Sequence, residues 1–125
     1  MQDKVEEFHR VFKTHIADKV GFPEMKIRAM RIRLLAEEMD EYITGEQTDN
    51  IVEVADGLAD MLYIIFGTAV SYGIPLEKVF DEVHASNMSK LDANGNPIYR
   101  EDGKILKGPN YFKPRIKEIL DAEKE

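Results

Sequence analysis

Apolar residues recur along the start of the chain at the three- and four-residue spacing of amphipathic helices. The first run predicts a helix over residues 5–16, which Gly21-Phe22-Pro23 stops. The second run predicts a helix over residues 24–42, with Gly45 as its C-terminal cap. Two helices therefore account for the first third of the chain.

A third run predicts a helix from a cap among residues 48–50 to about Tyr72. Every residue over 61–66 is apolar, so this helix should be covered on all sides. A chain of 125 residues can hardly surround one helix by itself, which suggests that a second copy supplies further cover. Gly73-Ile74-Pro75 then opens a fourth helix that reaches about Ser86.

From Asn87 to Pro114 the chain becomes rich in glycine, proline, asparagine and lysine. Turn signals at Asn94-Gly95 and Glu101-Asp102-Gly103 predict a small β-hairpin followed by a loop. A short final helix should run from Pro114 to about Ala122. The patterns together predict an all-α fold: a four-helix bundle core, a small hairpin and loop arm, and a short C-terminal helix.

The length fits a single domain over residues 1–125. It divides into a helical core, 1–87, and a basic hairpin arm with the terminal helix, 88–125. The core holds nine basic and seventeen acidic side chains, whereas residues 88–117 hold seven basic and three acidic ones. An acidic body with a basic arm can pair cations with phosphates, although charge varies along any protein surface.

The overall composition excludes several classes of protein. A net charge of −7 argues against a nucleic-acid partner, and the lack of cysteine excludes disulfides and thiolate metal sites. Residues 1–7 lack the apolar core of a signal peptide. The longest uncharged run, Met61 to Leu76, has sixteen residues, whereas a membrane-spanning helix needs about 20. We therefore expect a cytoplasmic protein with no membrane partner.

Two groups of acidic residues each lie along one side of a predicted helix. On the second helix, Glu38 and Glu41 project about 60° apart, and Glu37 and Glu41 about 40° apart. A similar stripe on the third helix, within roughly 60°, contains Glu53, Asp56 and Asp60.

The third-helix stripe interrupts an otherwise apolar segment. Burying an unpaired carboxylate is costly, and like charges four residues apart repel. The stripe therefore predicts bound divalent cations that prefer hard oxygen ligands, Mg²⁺ first and Mn²⁺ next. Pairing with buried arginines is the structural alternative, and the second helix offers Arg28, Arg31 and Arg33. The glutamates of the second helix can also be explained as solvated surface residues.

Two other metal-binding patterns are excluded. A ferritin-like di-iron bundle needs Glu-x-x-His on two helices, and no His follows the acids of the two stripes by three residues. Asp92-x-Asn94-x-Asn96 is followed by Pro97 and Gly103, where a calcium loop needs glycine and a closing acid. We expect His9 and His15 to be packing or surface residues.

Glu37-Glu38-x-x-Glu41 followed by Glu53-x-x-Asp56 resembles the paired-carboxylate motif of the all-α NTP pyrophosphohydrolases. This superfamily comprises the MazG-like and phosphoribosyl-ATP-pyrophosphohydrolase-like proteins, and it includes the dimeric dUTPases. The resemblance covers roughly residues 5–117 and extends to Arg31-x-x-Leu34-Leu35, Ala59-Asp60-Met61-Leu62-Tyr63, Ser86-Asn87-Met88-Ser89-Lys90, and residues 102–109 with Tyr111 and Pro114.

The resemblance implies a fold and an activity. The fold is the four-helix core of the all-α NTP pyrophosphatase type, assembled as a homodimer or a dimer of dimers. The activity is a Mg²⁺-dependent nucleoside triphosphate pyrophosphohydrolase that releases the monophosphate and pyrophosphate from an NTP or dNTP.

The resemblance also implies roles for individual residues. Catalysis falls to Glu37, Glu38 and Glu41, with Glu37 orienting or deprotonating the attacking water. The metal ions are held by Glu38, Glu41, Glu53 and Asp56, with Asp60 as a further ligand or supporting carboxylate. Phosphates are contacted by Lys90, Lys104 and Lys107, and the nucleotide by Asn87 and Tyr111. For the lysines, a solvated basic loop is the alternative.

One departure from the family pattern leaves the third-helix ligands open. The family often places Glu three residues before the Asp that leads into the apolar run. Here that register pairs Gly57 with Asp60, and Gly57 has no side chain to bind metal. Glu53-x-x-Asp56 keeps the form, with a slightly short spacer after Glu41.

Other functions remain as alternatives. Within enzymes, these are a phosphoribosyl-ATP pyrophosphohydrolase and a dUTPase. From another class, the chain can be a non-catalytic helical module that binds metal or a basic partner. Such a module has no need for acids in a buried helix together with a lysine-rich arm, which favours the enzyme.

Overall fold

The computed structural model describes residues 1–123. It is all-α, as predicted, and no strand occurs among these residues. Five helices follow one another along the described chain: α1 Gln2–Val11, α2 Met25–Gln47, α3 Ile51–Tyr72, α4 Leu76–Met88 and α5 Ile116–Glu123. The chain divides into two compact units, Met1–Leu76 and Glu77–Glu125.

In the first unit, α1 ends well before the predicted Ile16. Phe12 caps the helix, and Lys13 takes a positive φ of 58°. The segment that follows bonds to the end of α3 instead of to itself: the Ala17 N–H donates to the Val70 carbonyl at 3.1 Å. Tertiary contacts thus override the helical periodicity at this point.

α2 and α3 form the main contact of the first unit and run antiparallel. Two buried glycines allow their backbones to approach closely. A Cβ on Gly45 would lie 2.9 Å from the Val54 nitrogen, and one on Gly57 would lie 2.9 Å from the Tyr42 Cα. The prediction that Gly45 caps α2 is wrong, because the helix continues to Gln47 and Gly45 serves packing instead.

The two ends of α3 follow the local capping rules. The Asn50 side chain accepts a hydrogen bond from the Glu53 N–H at 3.1 Å, which confirms a cap among residues 48–50. Gly73 ends the helix in the left-handed conformation, with φ of 69°. A Cβ there would lie 2.5 Å from the Lys19 carbonyl oxygen.

The buried apolar core is small. It comprises Val5, Phe66, Ala69 and Val70, all in the first unit. Within one chain the apolar segment 61–66 of α3 is not covered on all sides, since Leu62 is 42% and Tyr63 41% exposed; this agrees with the expectation that one chain can hardly surround the helix. Leu58 is 50% exposed, and on α2 Ile32 is 71% exposed.

In the second unit, the predicted hairpin is reduced to a single antiparallel bridge between Tyr99 and Ile105. The turn is held by Arg100, which pairs with the Asp102 carboxylate. Packing between α4 and the start of α5 is anchored by Arg115, whose backbone N–H donates to Glu82 at 2.7 Å.

Within residues 1–123, no single helix is long and apolar enough to cross a membrane. The consecutive helices α3 and α4, taken together as one bent pair, are long and apolar enough for a membrane span, by length and composition only.

Candidate functional site

Three carboxylates from α2 and α3 come together in the first unit. One oxygen from each of Glu38, Glu41 and Asp60 lies within 4.8 Å of the others. Glu38 and Asp60 are half-buried, whereas Glu41 is exposed. The cluster lies beside the close approach of Tyr42 and Gly57. This approach and the one at Gly45, together called the glycine seam, bring the two acidic stripes together.

Glu38 is the most perturbed member of this cluster. Its Oε2 is buried and has no hydrogen-bond partner in the part of the chain that the structure describes. Burial, a hydrogen bond to Glu41 and the charges of Glu41, Asp60 and Asp56 raise the pKa of Glu38 to about 7. Ionised carboxylates only accept hydrogen bonds, so Glu38 bonds to Glu41 or Asp60 only when a proton is shared, and no cationic side chain of residues 1–123 contributes to its pKa.

Asp60 responds to the same environment. Burial and the charges of Asp56 and Glu41 raise its pKa, although a hydrogen bond to Glu38 opposes the rise. Asp56 therefore lies close enough to influence both perturbed carboxylates, while its own side chain is exposed. Burial first, and like charges held together second, therefore disfavour the ionised carboxylates of this site.

The remaining predicted acids lie outside the three-carboxylate cluster. Glu37 is exposed on α2. Glu53 is also exposed, in the first turn of α3, where its Cβ is 3.1 Å from the place a Cβ on Gly45 would occupy. The structure thus groups Asp60 with Glu38 and Asp56 near them, and it places Glu53 toward the α2–α3 turn.

The arginines of α2 do not neutralise these acids. Arg31 is buried but donates to the Ile64 carbonyl and to Thr68, and Arg28 lies over the Phe22 ring at 4.2 Å. Among the described residues, no ion pair joins Arg28, Arg31 or Arg33 to either acidic stripe. The salt-bridge explanation therefore does not account for the cluster.

The donor set fits a hard divalent cation. Carboxylate oxygens are the ligands that Mg²⁺ and Mn²⁺ prefer, and the three of this cluster lie close enough to share one ion. The Oε2 of Glu38 supports the fit, because a cation would satisfy a buried oxygen to which no donor among residues 1–123 is bonded.

The predicted phosphate- and nucleotide-binding residues lie in the second unit. Asn87 is exposed near the end of α4, and Lys90 is half-buried just after it. Lys104 and Lys107 are exposed, and the Lys107 ammonium lies 4.6 Å from the centre of the Tyr111 ring. This cation–π contact orients one lysine, whereas the Lys104 side chain has no hydrogen-bond or ion-pair partner among residues 1–123.

Sequence reasoning missed the part played by the glycines. Gly57 stood out only as a missing ligand, yet its lack of a side chain allows α2 and α3 to meet beside Glu38 and Asp60. The spacing gave no signal for this role, because the turn between α2 and α3 lies much closer to Gly45 than to Gly57.

Comparison with known proteins supports the resemblance. Residues 5–87 match the family described as phosphoribosyl-ATP pyrophosphohydrolase. A crystal structure of a candidate NTP pyrophosphohydrolase from Exiguobacterium sp. 255-15 is similar with a TM-score of 0.53 and 25% identity, over 97% of this chain and 91% of that one.

A curated relative is uncharacterized protein L479 of Acanthamoeba polyphaga mimivirus, which is 24% identical over 107 residues. The match covers 82% of this chain but only 40% of the relative's length. The predicted superfamily is confirmed, and with it the predicted class of enzyme at the level of the family.

Proposed function

Because the chain belongs to the phosphoribosyl-ATP pyrophosphohydrolase family, we propose that it hydrolyses a nucleoside triphosphate between the α and β phosphates in a Mg²⁺-dependent reaction. The products are the nucleoside monophosphate and pyrophosphate. The observation that carries this proposal is the buried Glu38 Oε2, which has no partner within the described chain and faces further carboxylates. A cluster of this kind is balanced either by a shared proton, as the raised pKa of Glu38 indicates, or by a bound cation.

Glu38, Glu41 and Asp60 would hold the Mg²⁺ ion, with Asp56 beside them. When bound, the ion would offset the charge of the phosphates and make the attacking water more acidic. Because two of these carboxylates lie on α2 and one on α3, an ion held by all three would connect the two helices, and the contact between the helices would set the geometry of the site.

The chain's own residues divide the remaining work. Glu38, whose pKa is near 7, would lose its proton on binding a cation, and its carboxylate would then carry the negative charge that balances the ion. Glu37 is exposed on the same helix and is proposed to orient or deprotonate the water. Glu53 is proposed as a ligand for a second ion, at the end of the acidic stripe nearer the helix turn.

The basic residues of the second unit are proposed to bind the substrate. Lys90, Lys104 and Lys107 would contact phosphate oxygens, and Asn87 and Tyr111 the nucleotide. The contact of Lys107 with the Tyr111 ring supports this, because an aromatic ring holds the ammonium in place without neutralising it. Replacing Lys107 by Ala should raise KM with a smaller effect on kcat.

The test of the reaction is product analysis on a panel of canonical and modified nucleoside triphosphates. Mg²⁺ should produce the monophosphate and pyrophosphate in equal amounts, and EDTA should stop the reaction. Release of orthophosphate with a diphosphate would show that the wrong bond is cut. No turnover on any nucleotide, with Mg²⁺ or Mn²⁺, would favour the non-catalytic metal-binding module.

A second candidate substrate is phosphoribosyl-ATP, which the description of the matched family favours. It contains the same α–β phosphoanhydride bond, so the same cluster can serve it. Including it in the panel decides between the two: a kcat/KM far above that for every simple nucleotide would assign the chain to this substrate. A preference for dUTP would indicate a dUTPase instead.

We also propose that a second copy of the chain covers the exposed apolar residues of α2 and α3. Leu58 and Ile32 are half exposed or more, and so are several residues along the same helices. One chain leaves too little buried core to stabilise a 22-residue helix of this composition, and symmetric self-association is the common solution. The assembly is therefore expected to be a homodimer or a dimer of dimers.

Light scattering coupled to gel filtration tests this assembly. The wild-type protein should have at least twice the mass of the chain at micromolar concentration. Leu58→Asp should shift the mass toward the monomer and lower the melting temperature, whereas the exposed control Glu46→Lys should change neither. A monomeric wild type would contradict the proposal.

A further inference from the structure

Arg31 is a buried charge that the proposed reaction does not use. Its side chain is 5% exposed and has no carboxylate partner among residues 1–123. Its Nη2 donates to the backbone carbonyl of Ile64 at 2.9 Å, and its Nε donates to Thr68 Oγ1 at 3.1 Å. The Thr68 hydroxyl also donates to the Ile64 carbonyl, at 2.9 Å, so the acceptors are themselves fixed.

These bonds join the same two helices that carry the acidic cluster. Arg31 precedes Glu38 on α2 by two helical turns, and Ile64 follows Asp60 on α3 by about one turn. The two bonds of Arg31 thus join α2 to α3 through a cationic donor and fixed oxygen acceptors. At Gly45 and Gly57 the two helices meet through van der Waals packing, which has no preferred direction, and the carboxylates of the cluster repel one another when ionised.

The surroundings of Arg31 are shaped to hold the guanidinium in one place. A Cβ on Gly67 would lie 2.3 Å from Arg31 Nη2 and 2.9 Å from His9 Nε2, so both nitrogens fill the space that this glycine leaves. His9 is 3% exposed, and its Nδ1 bonds to the His15 carbonyl at 3.0 Å. Since a carbonyl only accepts, Nδ1 carries the proton and Nε2 presents a lone pair beside the guanidinium.

We propose that Arg31 is a positioning residue: its bonds to Ile64 and Thr68 fix the axial position of α2 against α3, and so hold Glu38 and Glu41 opposite Asp60 at the spacing that a divalent cation requires. The proposal rests on the metal-dependent function proposed above. Directional bonds one to two turns from the cluster oppose the sliding that repulsion among the carboxylates would otherwise cause.

The test measures Mn²⁺ binding by electron paramagnetic resonance, without nucleotide, for the wild type, Arg31→Met and the matched control Arg33→Met. Arg33 is an exposed arginine on the same helix. Arg31→Met should weaken Mn²⁺ binding by at least about tenfold, the size expected for a residue that supports metal ligands. Arg33→Met should bind as the wild type does, and the circular dichroism of both variants should match that of the wild type.

An Arg31→Met protein that is folded and binds Mn²⁺ as tightly as the wild type would overturn the inference. If Arg31→Met fails to fold, Thr68→Val decides, because it removes one acceptor of Arg31 at nearly constant volume. Weaker binding by folded Thr68→Val supports the inference, and unchanged binding overturns it. A wild type that binds no Mn²⁺ would remove the proposed site itself, whereas wild-type binding with unaffected variants removes only the role of Arg31.

Discussion

Two regions of the α2–α3 contact bury charge in opposite ways. Around Arg31, each charged or polar group has a partner: the guanidinium bonds to Ile64 and Thr68, and the His9 ring bonds to a carbonyl. Around Glu38, like charges are held together and one buried oxygen has no partner within the described chain. A satisfied buried charge holds a structure together, whereas an unsatisfied one marks the place where a ligand belongs.

The comparison also explains why the two regions are neighbours. The acidic region is repulsive in the absence of a cation, so it needs a rigid support that does not depend on the ligand. The buried arginine and the glycine seam provide that support from the chain itself. The interactions beside the site thus stabilise the fold, whereas the repulsion among the carboxylates of the site destabilises it.

The largest expected effect comes from neutralising Glu38. Glu38→Gln should reduce turnover by about 10²–10³-fold, because the site loses a charge that balances the cation. The same change should raise the melting temperature of the metal-free protein, because the amide no longer repels Glu41 and Asp60. The control Glu46→Gln, on an exposed residue of α2, should alter neither quantity. Wild-type turnover in Glu38→Gln would remove this residue from the site.

A smaller loss should follow from filling the glycine seam. Gly57→Ala places a methyl group 2.9 Å from the Tyr42 backbone, which cannot move aside cheaply, and should destabilise the fold by about 1–3 kcal/mol. Gly21→Ala is the matched control, because a Cβ at Gly21 meets nothing within 4 Å. Urea unfolding measures both free energies. Equal stabilities of the two variants would show that the helices are not held this closely.

The two regions should respond to pH in opposite directions in EDTA. Burial and the nearby Arg31 and His15 charges lower the pKa of His9, although the His15 carbonyl bond and Glu6 oppose this. As the pH falls, His9 is therefore protonated at a higher pH in the unfolded chain than in the folded one. Stability is lost as the pH falls below about 6.5. The pKa of Glu38 is raised to about 7, so its contribution has the opposite sign. Stability is lost as the pH rises from 4.5, the ordinary pKa of a glutamate, toward 7.

Melting temperatures measured between about pH 5 and pH 8 separate these two effects. His9→Asn keeps a donor for the His15 carbonyl and should remove the loss on the acid side. Glu38→Gln should remove the loss on the neutral side and leave the acid side unchanged. If both variants kept the full pH profile of the wild type, neither group would be the source of it.

The smallest expected effect concerns the start of α3, away from both regions. Asn50→Ala removes the side chain that accepts the Glu53 N–H and should cost about 1 kcal/mol of stability. Gln47→Ala, on an exposed residue at the end of α2, should be close to neutral. Thermal unfolding measures the stability of both variants, and turnover per folded molecule should be unchanged in each. A large loss of activity in Asn50→Ala would instead place the start of α3 in the site.

The sequence predicted best those features that depend on local chemistry. A cap among residues 48–50 and the end of α3 near Tyr72 were predicted correctly, because a capping side chain and a left-handed glycine act within a few residues. Gly45 was misinterpreted as a helix end, since its role depends on Val54 across the contact. The early end of α1 depends in the same way on Val70, to which the segment after the helix bonds.

The sequence predicted which acidic residues the candidate site draws on, but not which of them lie close together. The stripes showed which helices carry acids, and their spacing suggested a shared face. Which members meet depends on how far α2 is displaced along α3, and that displacement is set by Gly57 and by Arg31, whose bonds to α3 have no signature in the sequence. The structure therefore groups Asp60 with Glu38 and Glu41.

The central claim is that the cluster of Glu38, Glu41 and Asp60 binds a divalent cation between α2 and α3. The most direct measurement is anomalous diffraction from crystals soaked in Mn²⁺. The account predicts an anomalous peak within coordination distance of oxygens from all three side chains, lost in crystals of Glu38→Gln. A peak elsewhere on the chain, or carboxylates neutralised by a basic side chain of a second copy with no peak, would contradict it.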